Sequence, residues 1–191
     1  MTSSIIEGLK KPDIFYGSPK AGNFKKADVD KFAEDVALKL GYNSSDEVSA
    51  YCLYDIVKEK LGGQLHFVEK ERLENEIYGT AVIHGELDFD IVIPRQKGLF
   101  DANFTIAHEL GHYFLHSIQG KLPLIAKRGN DEPSERAEHE AKWFAYSFLM
   151  PEQRFKVEWE KCFRVPELVS KYFLVPPVAA KNRAESLGLA I

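Results

Sequence analysis

The sequence predicts an α+β domain in which a small sheet packs against a His-Glu-x-x-His helix and several further helices. Three observations predict it. Apolar residues recur at helical spacing before residue 62 and again after residue 134. Between those regions Leu87, Phe89, Ile91 and Ile93 alternate with Asp88, Asp90 and Val92, the period of a strand. Directly after that strand, Phe104 to His116 carries His108-Glu109-Leu110-Gly111-His112 inside an apolar helical pattern.

Taken in order, residues 1–26 hold Pro12, Gly17, Pro19 and Gly22 with scattered lysines and little periodicity, and they read as an extended arm or an irregular loop. From Ala27 to Gly41, Val29, Phe32, Ala33, Val36 and Leu40 make a helix that Gly41 stops. A second helix is expected from Asp46 to Leu61, ended by Gly62-Gly63. Gln64 to Glu69 reads as a short strand. Ile77–Ile83 and Leu87–Ile93 read as a hairpin across His84-Gly85-Glu86, with one wet face and His84 as a turn residue. Ser117 to Glu132 is a long connection, either a lid or a plain surface excursion. A helix follows from Ser134 to Met150 and is closed by Pro151. Residues 152–162 are helical again, and two short helices flank Val175-Pro176-Pro177. The division expected is an arm, 1–26, and one domain, 27–191.

Composition narrows the class. A chain of 191 residues with 45% hydrophobic and 28% charged residues has the balance of a soluble globular domain with a sizeable core. A formal net charge of -4 gives no general attraction to nucleic acid or anionic membrane. Cys52 and Cys162 lack metal-ligand spacing and read as reduced thiols. The start has no signal-peptide pattern and no run reaches membrane-spanning length, so a cytoplasmic location is expected.

The chemistry concentrates on the histidine helix. Two histidines four residues apart stack on one side and can grip one metal ion, and neutral imidazoles suit Zn²⁺. Thr105, His108, Glu109, His112 and His116 share that side, opposite Ile106, Leu110 and Phe114. His116 cannot join the same ion, because eight helical residues rise about 12 Å. The metzincin pattern is excluded, because it needs glycine and histidine where Leu115 and Ile118 stand. For a third ligand the helix after the long connection offers Glu135, Glu138, His139 and Glu140. Measured from an apolar face centred on Ala141, Glu138 lies about 60° off and Glu140 about 100° off. Glu138 alone borders the buried face, with an ordinary surface glutamate as the alternative.

The histidine helix, the run Glu138-His139-Glu140-Ala141-Lys142-Trp143-Phe144-Ala145, the segment Phe148-Leu149-Met150-Pro151 and the tail from Phe173 to Leu189 resemble the ImmA/IrrE family of metallo-endopeptidases. The resemblance runs from about residue 28 to the C-terminus. It implies a compact zincin-like α+β fold, with Zn²⁺ on His108, His112 and Glu138 and Glu109 as the catalytic acid/base. It also implies a protein substrate, a helix-turn-helix repressor or antitoxin, often encoded beside the enzyme on phages and other mobile elements. Lys142 departs from the asparagine usual in the family, and the arm of residues 1–26 lies outside its common core. Oxyanion support or a role behind the ligands is open to His116, Tyr78 and Tyr113, although Tyr113 faces away from the histidines on an ideal helix.

Two other readings compete. Leu168–Phe173, a turn and Val178–Leu187 can be read as a DNA-binding helix-turn-helix, with Lys181, Asn182 and Arg183 exposed. Residues 165–191 hold only three Lys/Arg against two Asp/Glu, which is little charge for phosphate contacts. A zinc-site toxin or regulator that holds its partner without cutting it is the other reading.

Overall fold

The computed structural model describes residues 5–42, 52–69, 79–95, 98–126 and 132–189. Residues 46–51 of the expected helix 46–61, residues 77–78 at the start of the hairpin and residues 127–131 of the long connection lie outside these described residues. The element order is α1 (Ile5–Leu9), α2 (Lys26–Leu40), α3 (Cys52–Asp55, continued by a π-helical turn Ile56–Lys60), β1 (Gly63–Val68), β2 (Thr80–Gly85), β3 (Asp88–Pro94), α4 (Leu99–Gly111, continued by a π-helical turn His112–His116), β4 (Leu124–Ile125), α5 (Glu132–Leu149), α6 (Glu152–Lys161), α7 (Pro166–Phe173) and α8 (Pro177–Ser186). This is an α+β architecture.

The ends of the elements follow local chemistry. Gly41 takes φ 74° after α2, and its N–H closes on the carbonyls of Ala37 and Leu38. Pro166 and Pro177 each begin a helix, where the missing N–H costs nothing.

The sheet order is β1-β3-β2-β4. β1 runs parallel to β3, β2 pairs with β3 antiparallel, and β4 pairs with β2 antiparallel. Ala81, Ile83, Phe89, Ile91 and Ile93 point into the main core with Ile106, Leu110 and Phe114 of α4 and Phe144 and Phe148 of α5. The helix α5 packs against both α2 and α4, so the histidine helix lies between the sheet and α5.

The sequence expectation of a wet outer sheet face is corrected. Val82 and Val92 on that face are buried under Ile6 of α1, with Ile5, Leu9 and Tyr16 around them. The arm thus supplies a short amphipathic helix that covers the back of the sheet. His84 is no turn residue: it belongs to β2, is buried, and bonds Tyr16 Oη at 2.6 Å and Asp90 Oδ2 at 2.7 Å. The turn falls on Glu86 and Leu87, with Leu87 at φ 53°.

The long connection also gains structure. Leu124 and Ile125 form the edge strand β4, and the arm lies along it: Gly17 N–H donates to Pro123 O at 3.1 Å and Ile125 N–H to Gly17 O at 3.0 Å. The arm already occupies that stretch of sheet edge. No helix among the described residues is long and apolar enough to cross a membrane.

Candidate metal centre

Close approach of two helices builds the centre. Gly111 stands against Ala141, and a β-carbon on Gly111 would meet Ala141 Cα and O at 2.9 Å. This contact carries Glu138, one turn before Ala141, up to the two histidines one turn apart on α4. Glu138 Oε2 lies 3.2 Å from His108 Nε2, and Glu138 Oε1 lies 3.1 Å from His112 Nε2. The ligand atoms of His108, His112 and Glu138 all lie within 4.8 Å of one another. Zinc–ligand bonds near 2 Å in a tetrahedron set neighbouring ligand atoms about 3.3 Å apart. Two imidazoles and one carboxylate at this spacing fit a divalent metal ion, and the donor set is the one the sequence picked out.

Burial sets the electrostatics. It works against charge on Glu138, but the His108 and His112 rings outweigh it and hold the carboxyl far below the usual carboxylate range. Burial pushes His112 down and favours the neutral ring that a metal requires, although Glu138 pulls the other way. His116 is pushed down to about 4, by burial first and then by the neighbouring His112, against the pull of Glu140.

Beside the three ligands lies a cleft of about 260 Å³, whose polar lining includes Glu109, Lys142, Tyr146 and Asn182. Phe104, Pro176, Val178 and Ala179 supply its apolar wall. Glu109 is buried at the edge of the cleft. Gly79 allows the chain entering β2 to press on this part of α4, since a β-carbon there would meet Thr105 Cγ2 at 2.2 Å and Glu109 Oε1 at 3.3 Å.

The other sequence candidates fall in different places. His116 is no part of the cleft wall. The π-helical turn, closed by Ser117 N–H to His112 O at 2.9 Å, sets its ring directly behind His112. Tyr113 is corrected as a candidate for oxyanion support. It is 2% exposed on the sheet side of α4, packs on Phe89, and accepts the Leu87 N–H at 3.3 Å. Tyr78 lies outside the described residues.

The helical wheel put Glu140 about 100° off the apolar face, and its side chain is nonetheless fully buried. The arm encloses it, with Gly22 N–H and Phe24 N–H donating to its carboxylate. Arg183, expected to be exposed, is 0% exposed. It donates to Met150 O at 3.1 Å and stands 3.8 Å from Asp30 and 3.5 Å from Glu34, so it cannot reach a DNA phosphate.

Tyr146 was missed. Its hydroxyl accepts Asn182 Nδ2–H at 3.0 Å, and burial raises its pKa. The signal was present, because Glu138, Lys142 and Tyr146 form one i, i+4, i+8 row on α5.

Comparison with known families agrees with the geometry. The family model described as the IrrE N-terminal-like domain, a peptidase family, matches residues 83–185, from β2 through α8 and more than half of the chain. No curated protein matches the chain.

Proposed function

The chain belongs to the IrrE N-terminal-like domain family of peptidases, and on that premise we propose that it is a zinc-dependent endopeptidase acting on a protein partner, a helix-turn-helix repressor or antitoxin. The observation that carries the reading is the convergence of His108 Nε2, His112 Nε2 and the Glu138 carboxylate at the edge of a cleft that Glu109 also lines. When bound, the ion supplies Lewis-acid polarisation of a carbonyl and acidification of a water.

The chain's own residues do the rest. His108, His112 and Glu138 would hold the ion, beside the cleft that Glu109 also lines. Glu109 takes a proton from the attacking water and passes it to the leaving amine. Phe104, Val178 and Ala179 seat an apolar side chain of the peptide and exclude water. Lys142, Tyr146 and Asn182 are the polar groups facing the bound backbone. The burial of Arg183 speaks against the tail as a DNA reader.

The test is incubation with any helix-turn-helix protein that the neighbouring genes encode, with and without chelator, read by intact-mass spectrometry. Two defined fragments that chelator abolishes are expected. A partner that binds but stays intact in every condition would replace cutting with capture.

A further inference from the structure

Behind His112, away from the cleft, a line of side chains runs back to the N-terminal arm. His112 Nδ1 lies 3.0 Å from His116 Nδ1, and His116 Nε2 lies 3.2 Å from Glu140 Oε2. Both outer side chains are fully buried. Glu140 also accepts Gly22 N–H at 2.9 Å, Phe24 N–H at 3.1 Å and Arg136 Nε–H at 3.2 Å. Arg136 in turn donates to the Phe24 carbonyl at 2.9 Å, which ties the arm to α5 a second time.

With a metal ion on His112 Nε2, the protons along this line have one consistent placement. Gly22, Phe24 and Arg136 can only donate, so the Glu140 carboxylate is ionised and accepts from all of them. His116 then gives its Nε2–H to Glu140 and keeps a lone pair on Nδ1. His112 must therefore carry its proton on Nδ1 and donate it to His116. That leaves His112 Nε2, the nitrogen facing Glu138, with the lone pair a metal needs. With an ion between His112 Nε2 and Glu138, the opposite tautomer would withhold that lone pair and also set two lone pairs against each other at 3.0 Å behind the ring, at the cost of an unsatisfied buried group.

The geometry points to Glu140 and His116 as positioning residues that lock His112 in its metal-binding tautomer, with residues 22–24 of the arm as the seat that holds Glu140. This deepens the metal reading above and rests on it. It makes the N-terminal arm part of the centre, although the arm contributes no ligand. The partner of a ligating histidine commonly sets metal affinity by about 10- to 100-fold. Here that partner is an imidazole whose own orientation depends on a carboxylate further back.

The experiment is a zinc titration of the full-length protein against a chromophoric chelator, beside His116→Leu and Glu140→Gln. Both variants are expected to bind zinc about 10- to 100-fold more weakly, with the circular dichroism of the folded wild type. Variants that fold and bind zinc as tightly as wild type would overturn the inference while leaving the metal reading intact. Wild type that binds no zinc would overturn both. Should Glu140→Gln not fold, long-range ¹H–¹⁵N spectra of zinc-loaded wild type decide the matter. Protons on His112 Nδ1 and His116 Nε2 are expected, and a proton on His116 Nδ1 would sink the proposal.

Discussion

Gly111 lies so close to Ala141 that a β-carbon on the glycine would stand 2.9 Å from both the Cα and the carbonyl oxygen of the alanine. This contact sets the spacing between α4 and α5, and hence between His112 and Glu138. In an open helix Gly→Ala would stabilise by about 0.5–1 kcal/mol. Here the added methyl meets backbone, which cannot rotate aside, and overpacking costs about 1–3 kcal/mol. Gly111→Ala is therefore expected to lower both stability and zinc content, read by urea unfolding and elemental analysis. A variant more stable than wild type with full zinc would show that the helices separate freely.

The ligand assignment predicts metal loss at defined positions. Wild type should hold about one zinc per chain, and His112→Ala and Glu138→Ala should each lower that content. Full occupancy in both variants, measured on purified protein, would remove this centre from consideration.

Glu109 separates cutting from holding. Glu109→Gln keeps the shape of the side chain but cannot take a proton, so zinc and partner binding should persist while cleavage falls by about 10²- to 10⁴-fold. Cleavage at the wild-type rate would show that Glu109 has been given the wrong role.

Arg183 is expected to matter for stability. Its stem and guanidinium are buried between α8, Met150 O, Asp30 and Glu34. Asp30 and Glu34 keep part of their exposure and can rehydrate, so Arg183→Ala should cost about 3 kcal/mol, the low end for breaking a buried pair. Chemical denaturation checks the size. A loss below ~0.5 kcal/mol would mean that the buried contacts contribute little.

Tyr113 should behave as a core residue. Among the described residues its hydroxyl accepts one long bond, from Leu87 N–H at 3.3 Å. Tyr113→Phe should cost about 0.5 kcal/mol, the low end for a hydrogen bond, and leave kcat unchanged. A fall in kcat with normal stability would return Tyr113 to the list of groups supporting the reaction.

The sequence by itself determined what depends on neighbours along the chain. His108 and His112 share one side of a helix because they are four residues apart, and no packing partner is needed to say so. Gly41, Pro151 and Pro177 end or begin helices through their own backbone limits. The alternation in 87–93 likewise marked a strand whose Phe89, Ile91 and Ile93 face the core. The tertiary structure decided everything that depends on a second segment arriving. A helical wheel is measured from an element's own apolar face, and it is blind to what covers the other faces. Glu140 therefore read as lying off the buried face, although Gly22 and Phe24, more than a hundred residues earlier, fold over it. Arg183 read as exposed until Asp30, Glu34 and the Met150 carbonyl closed around it. The outer face of the sheet read as wet because nothing local reports that Ile6 will lie on Val82 and Val92. In each case a polar group or a half-covered strand was completed by a partner far away in the chain, and only folding brings such partners together.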